Sequence, residues 1–275
     1  MSLRKMPPLS CLLWKLGALT LLSSCTASVQ AALVFQDNFD RVGALNGSTP
    51  SFSAGSNWTA TAGFSTDGSK VAAAFGLFDD FTSAAYVPLP VAITSGNIYT
   101  LSATMLKGPS TDNRATMIFG FFDAAPSWDG NVPVDEGHAI AIAPRNNLAS
   151  INVMLHGFVN ASDTGVADGT NGTTFGVRLY ETAPNSWSAV AVELSPTNQL
   201  ILGPFSPTPI TLANIASIGM ISASLLPPYI DNFSLDVTPV PEPSTFVLGI
   251  VGLTGLVALR KRFSKSQNGQ ETRTP

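Results

Sequence analysis

Residues able to do chemistry are sparse in this chain of 275 residues. Its two histidines, His138 and His156, fall in or beside different short apolar runs, and no cysteine follows Cys25. A zinc site needs roughly three or four convergent ligands, so two isolated histidines read as surface or core residues. Paired carboxylates fare no better. Retaining glycosidases place two carboxyl groups about 5 Å apart, which on a strand means acids at i and i+2 on one face. Between Ala32 and Val240 the glutamates are Glu136, Glu181 and Glu193, and none has an acid two residues on. Asp135 and Glu136 are neighbours and would point to opposite faces. No Gly-x-Ser-x-Gly elbow occurs, so catalysis is not expected. The loop Asp163-Thr-Gly-Val-Ala-Asp168-Gly-Thr-Asn171-Gly172 offers acids without EF-hand spacing, and Gly with Asp and Asn is ordinary turn chemistry. Trp128 is the candidate ligand-binding residue. It lies in Pro126-Ser-Trp-Asp-Gly-Asn131, a turn-rich stretch where a large ring has little reason to be buried, and where it could stack on a sugar. Trp58 and Trp187 are assigned to the core.

The elements that must position these residues are strands. Short apolar and branched runs alternate with Gly, Pro, Asn, Asp and Ser turns. The runs are Ile98–Met105, Ala115–Phe122, Ala139–Ala143, Ile151–Leu155, Phe175–Tyr180, Ser188–Leu194, Ser217–Ser222 and Tyr229–Val237. Pro184-Asn185-Ser186 between two of them reads as a hairpin turn. Ten or so strands without disulfides predict an all-β fold, an antiparallel β-sandwich over residues 32–237. Some 205 residues suffice to bury a core of their own.

Charge is unevenly spread. Only 12% of residues are charged, against about a quarter in an ordinary soluble domain. From Ala32 to Val240 there are 13 Asp and 3 Glu against 2 Lys and 4 Arg, a balance of −10. The remaining basic residues cluster at the two ends. An acidic middle excludes a nucleic-acid partner, which needs clustered Lys and Arg.

The ends read as addresses. Arg4, Lys5 and Lys15, the apolar run Leu16–Leu22 and Val29-Gln30-Ala31 have the three parts of a secretory signal, predicting a leader over 1–31 cut after Ala31. A competing cut stays open, because Leu22-Ser23-Ser24-Cys25 resembles a bacterial lipobox in which Cys25 would be lipidated. At the other end, Val240-Pro241-Glu242-Pro243 precedes the apolar run Phe246–Leu259 and the basic cluster Arg260-Lys261-Arg262. This tail, over 238–262, resembles the PEP-CTERM sorting signal of Gram-negative bacteria. The resemblance implies insertion in the inner membrane, recognition of the Pro-Glu-Pro region by a membrane protease, exosortase, and passage to the cell surface or beyond, often alongside extracellular polysaccharide. Fourteen residues at 1.5 Å each reach about 21 Å, short of the ~30 Å hydrocarbon core, so a transmembrane helix over 246–259 needs local thinning. The three basic residues hold its end in the cytoplasm. An anchor that is never cut is the alternative, and 263–275 is expected to be a disordered tail.

Phe35-Gln-Asp-Asn-Phe39 and Tyr229-Ile-Asp-Asn-Phe233 open and close the middle region with similar words. Such terminal strands resemble those of lectin-like jelly-roll sandwiches, in which the two chain ends lie side by side. The resemblance implies a structural Ca²⁺ between these strands, with Asp37, Asp40 and Asp231 as the oxygen ligands. The function expected is that of a non-catalytic exported surface or matrix protein. The alternative is a carbohydrate-binding module, and the third reading is a glycoside hydrolase.

Overall fold

The computed structural model describes residues 30–53, 55–61, 63–73, 83–108, 117–122, 139–144, 150–155, 158–163, 172–195, 198–205, 214–222 and 229–240. Among them sixteen strands form and no α-helix. The first eight are β1 (Ala32–Asp37), β2 (Val42–Ala44), β3 (Thr59–Ala60), β4 (Phe64–Asp67), β5 (Val71–Ala73), β6 (Ser83–Pro88), β7 (Asn97–Leu106) and β8 (Met117–Phe122). The rest are β9 (Ala139–Pro144), β10 (Ser150–Leu155), β11 (Phe158–Asp163), β12 (Thr173–Ala183), β13 (Ser186–Ser195), β14 (Gln199–Phe205), β15 (Ser217–Ser222) and β16 (Tyr229–Pro239). All eight runs read from the sequence form strands. Those it missed are mostly two to four residues long, such as β2, β3, β4 and β5, too short for a period of two to show.

Two antiparallel sheets result. Sheet A runs β14-β13-β12-β7-β16-β5-β4-β2, with β1 also paired to β16, and sheet B runs β11-β10-β9-β8-β15-β6-β3. Alternation along the strands turns one set of side chains inward. Tyr99, Leu101, Ala103 and Met105 of β7 and Ile230, Phe233 and Leu235 of β16 share one buried cluster with Phe119 and Phe121 of β8 and Ile218 and Met220 of β15. Phe119 of sheet B meets Phe233 of sheet A edge to face, with ring centroids 6.2 Å apart. The molecule is thus a β-sandwich. Each large side chain buried in this layer stabilises it by about 1.5–3 kcal/mol.

The outer faces of the two sheets are unlike. On sheet B, Ala84, Ile118, Phe122, Ala141, Ala143 and Ile221 form a second buried cluster. β8 and β15 are therefore buried on both faces, which explains the unbroken apolar run Met117-Ile-Phe-Gly-Phe-Phe122. Gly120 stands opposite Gly219 here. A Cβ at Gly120 would lie 2.4 Å from that of Ala141, and one at Gly219 would lie 2.4 Å from the Ala85 carbonyl, so neither tolerates a side chain. On sheet A the outer face is polar where β7, β12 and β16 meet. Ser102 bonds Ser234 and Thr104 bonds Thr174, each pair hydroxyl to hydroxyl at 2.9 Å.

The similar words at the two ends are strand partners. β1 lies antiparallel to β16, with Ala32 opposite Val237 and Asp37 opposite Phe233. The chain therefore enters and leaves the sandwich at one end of sheet A. At that exit the backbone stays pinned, since Pro239 pairs with Asn97 and the Val240 N–H donates to the Gly96 carbonyl at 2.8 Å.

Candidate functional site

Asp37 is fully buried at the end of β1. One oxygen accepts the Phe39 N–H at 2.9 Å and an Arg41 Nη1 proton at 2.8 Å. The other accepts from Arg41 Nη2 at 2.7 Å and from the indole N–H of Trp58. The turn that returns Arg41 to Asp37 holds Phe39 at a φ of 54°, a left-handed conformation that costs a non-glycine residue about 1–3 kcal/mol unless its surroundings hold it. Burial of the Phe39 ring beside Trp58, 6.1 Å between centroids, does so. Among the described residues, Arg41 Nε is the buried side-chain nitrogen or oxygen without a hydrogen-bond partner.

Asp231 stands elsewhere. It lies level with Thr104 on the outer face of sheet A, just before a bulge at which Asn232 takes a φ of 50°. Its carboxylate accepts from the Asn232 N–H at 2.7 Å and the Asn232 side-chain amide at 2.8 Å. Burial pushes its proton affinity above the ordinary carboxylate value, the Asn232 N–H pulls it back, and repulsion from Asp40 and Asp67 adds to the rise. The structure thus brings Asp40, Asp67 and Asp231 within electrostatic reach and leaves Asp37 in the core. The expected calcium ligands Asp37, Asp40 and Asp231 do not fit one ion. Asp37 already has its cation, Arg41, and among the described residues no group of three or more His, Cys, Asp or Glu is arranged to hold a metal.

A second feature lies on the outer face of sheet A near β14. Ile98, Arg178, Tyr180, Val190, Val192, Asn198, Leu200 and Pro204 line a shallow depression of ≈ 370 Å³. Register explains it. Arg178 lies between Thr100 and Val190, and Tyr180 between Ile98 and Ser188. Arg178 and Tyr180, two residues apart on β12, share a face while Val177 and Leu179 fill the core. Arg178 has no carboxylate partner among the described residues. These two residues were missed in the sequence, although the alternation in Phe175-Gly-Val-Arg-Leu-Tyr180 signals them.

Trp58 is buried and Trp187 packs partly against the core, as expected. Trp128, His138, His156, Pro241, Glu242, Pro243 and the cluster Arg260-Lys261-Arg262 lie outside the described residues, as do residues 1–29 of the expected leader and Phe246–Leu259. Among the described residues, no helix is long and apolar enough to cross a membrane.

The third feature is the exit itself, where β16 ends at Pro239. Residues 239–262 match the family of the PEP-CTERM protein-sorting motif. The chain carries a PEP-CTERM sorting signal. The motif marks an exported protein and begins on the last residue of the last strand. No curated protein matches the chain. Among solved structures, it is similar to a lectin from Bauhinia forficata in complex with GalNAc, at 12% identity over 77% of this chain and 100% of the lectin, with a TM-score of 0.47. It is also similar to an endo-1,3-beta-glucanase from Streptomyces sioyaensis, at 13% identity over 78% of this chain and 98% of the enzyme, with a TM-score of 0.47. Peanut lectin shows 12% identity over 76% of this chain and 97% of the lectin, with a TM-score of 0.45.

Proposed function

We propose that this PEP-CTERM protein is a non-catalytic component of the cell surface or extracellular matrix. Its sandwich is handed outward by an exosortase that reads the segment after Val240. The observation that carries this reading is the sorting motif abutting the last strand, so that the whole folded domain is the cargo. The spacing of the two described glutamates, Glu181 and Glu193, supports a role without catalysis. Glu181 faces Trp187 and Glu193 faces Phe175 across β12 and β13. Six residues along β12 separate these levels, roughly 20 Å at about 3.3 Å each, against the ~5 Å of a retaining glycosidase pair. Association with extracellular polysaccharide, inner-membrane anchoring through Phe246–Leu259 and final release to the surface belong to the same reading. Intact mass of the protein from its native host tests it. A chain lacking 246–275 in the extracellular fraction is expected, and full-length protein there would overturn the proposal.

A second reading, a carbohydrate-binding module, is favoured by the depression beside β14. Tyr180 offers a ring with a polar tip of the kind that suits a half-wet sugar contact, and Arg178 offers a fork of donors for hydroxyl or carboxylate oxygens. A glycan array decides it. Binding that is lost in Tyr180→Ala places the sugar here, and binding lost in Trp128→Ala places it in the loop 126–131.

A further inference from the structure

On the outer face of sheet A, register sets opposite charges at equal distances from one strand. Asp236 on β16 lies beside Thr100 on β7, and Thr100 lies beside Arg178 on β12. Beyond the acid comes Leu33 on β1, and beyond the base comes Val190 on β13. Leu101, Val177, Leu179 and Leu235 fill the core, so Thr100, Arg178 and Asp236 point outward by alternation. Each of the three is partly buried. Two strand spacings of about 4.8 Å separate the charges, too far for an ion pair. Among the described residues neither charge has a hydrogen-bond or ion-pair partner.

The order apolar, acid, hydroxyl, base, apolar is its own complement when reversed. A second copy, related by a two-fold axis lying along β7 between the two faces, lays β12 over β16 and β13 over β1. Arg178 of each copy then meets Asp236 of the other, Thr100 meets Thr100, and Leu33 meets Val190. An isologous contact makes each unlike pairing twice. Neighbouring rows agree. Tyr180 and Thr238 both lie beside Ile98, and Gly176 and Ser234 both lie beside Ser102, so the tyrosine meets a threonine and the glycine a serine. Asp231 and Thr174 both lie beside Thr104, so that acid meets a hydroxyl and not another acid.

Shape and area fit the same pairing. Leu33 is 39% exposed, and in the second copy it faces the depression walled by Val190, Val192 and Pro204, an apolar recess for an apolar side chain. The long strands β7, β12 and β16 have ten or eleven residues, roughly 33 Å at about 3.3 Å each. Five strands at about 4.8 Å cover about 24 Å, so the face offers roughly 800 Å², one partner's share of a standard interface. Two acidic copies repel at long range, but this is screened beyond about 8 Å at physiological ionic strength, and the charges in contact decide. In dilute, monomeric protein Asp236 has no cation, and burial alone holds its carboxyl above the ordinary value.

We propose that the outer face of sheet A binds a second copy of this chain, forming a two-fold dimer held by reciprocal Arg178–Asp236 pairs. Such a dimer is independent of sorting. Thr100→Cys tests it in the full chain in its native host, with exposed Thr49→Cys as the control. Facing sheets pack about 10 Å apart, too far for a direct disulfide, so a short bis-maleimide is the crosslinker. Thr100→Cys is expected to give a linked dimer well above the control. Adding Arg178→Asp or Asp236→Arg sets like charges face to face twice, and should lower the yield at least about tenfold. Both changes together restore the pairs in exchanged positions and should recover most of it. Leu33→Asp alters an exposed side chain, sparing the fold of the single copy, and should also lower the yield. A Thr100→Cys yield no higher than the control overturns the dimer, as does a double variant that is exported normally and recovers nothing. A yield untouched by Leu33→Asp and by the single charge reversals overturns the register. A chain that stays unlinked and binds a glycan through Tyr180 gives this face to sugar instead, with sorting unaffected.

Discussion

The tripeptide Asp-Asn-Phe occurs at 37–39 and again at 231–233, on strands that are direct neighbours, and its two copies have opposite fates. In the first, the aspartate is buried, the phenylalanine takes the left-handed turn, and Arg41 returns to pair with the carboxylate through two bonds. In the second, the asparagine takes the left-handed position, the phenylalanine enters the core, and the aspartate stays on the outer face with other acids for company. The copies differ in the residues just downstream. Arg41 comes four residues after Asp37, whereas the fourth residue after Asp231 is Leu235. A buried carboxylate persists only where a cation and donors meet it, so one side chain decided which copy could go inside.

The largest effect expected from breaking this contrast is at the buried copy. Asp37→Ala or Arg41→Ala leaves a buried charge uncompensated and should cost about 3–5 kcal/mol, read from urea unfolding. Asp231→Ala removes a half-exposed carboxylate already repelled by its neighbours and should cost well under half of that. Equal losses would mean that the pair with Arg41 contributes nothing special.

Next in size is Trp58→Phe, which keeps a ring in the cluster but deletes the indole donor to Asp37. A hydrogen bond to a charged group is worth about 1.5–3 kcal/mol, and the loss should nearly vanish in an Asp37→Asn, Arg41→Met background. A loss that persists there would assign the effect to ring packing with Phe35 and Phe233 instead.

A smaller effect appears in the pH dependence. Burial raises the Asp236 carboxyl above its ordinary value, and burial together with acidic neighbours does the same for Asp231. Because the folded-state values are raised, folding favours the protonated forms. The stability these groups contribute is present below the ordinary aspartate value of about 3.9 and is lost as pH rises through the raised one. Asp236→Asn should therefore raise the neutral-pH melting temperature slightly and match wild type in acid. A variant less stable than wild type at pH 7 would contradict that sign. Smallest of all is the response to calcium. With Asp37 held by Arg41, melting curves in EDTA and in millimolar calcium should coincide. A shift of several degrees would move attention to Asp40, Asp67 and Asp231.

Much of the sandwich was legible because its strands are long enough for alternation to show, as in Ile98–Met105 and Ala139–Ala143. The short strands from Val42 to Ala73 were not, since two to four residues carry no period. At the sites the balance is reversed. Single residues such as Asp37 and Asp231 could be named from the sequence, yet their pairing across space could not. The depression at Arg178 and Tyr180 needed the register of four strands, β7, β12, β13 and β14, which no single segment contains.

The sequence by itself determined the all-β character, the acidic middle and the sorting signal, because periodicity, charge count and a contiguous motif are properties of neighbours along the chain. Only the tertiary structure decided which face each strand buries, which aspartate takes Arg41, and that the motif starts where β16 is still hydrogen-bonded to Gly96. Those outcomes depend on contacts between residues far apart in sequence, such as Asp37 with Trp58 and Val240 with Gly96. Register and burial settle them, and local sequence does not encode either one.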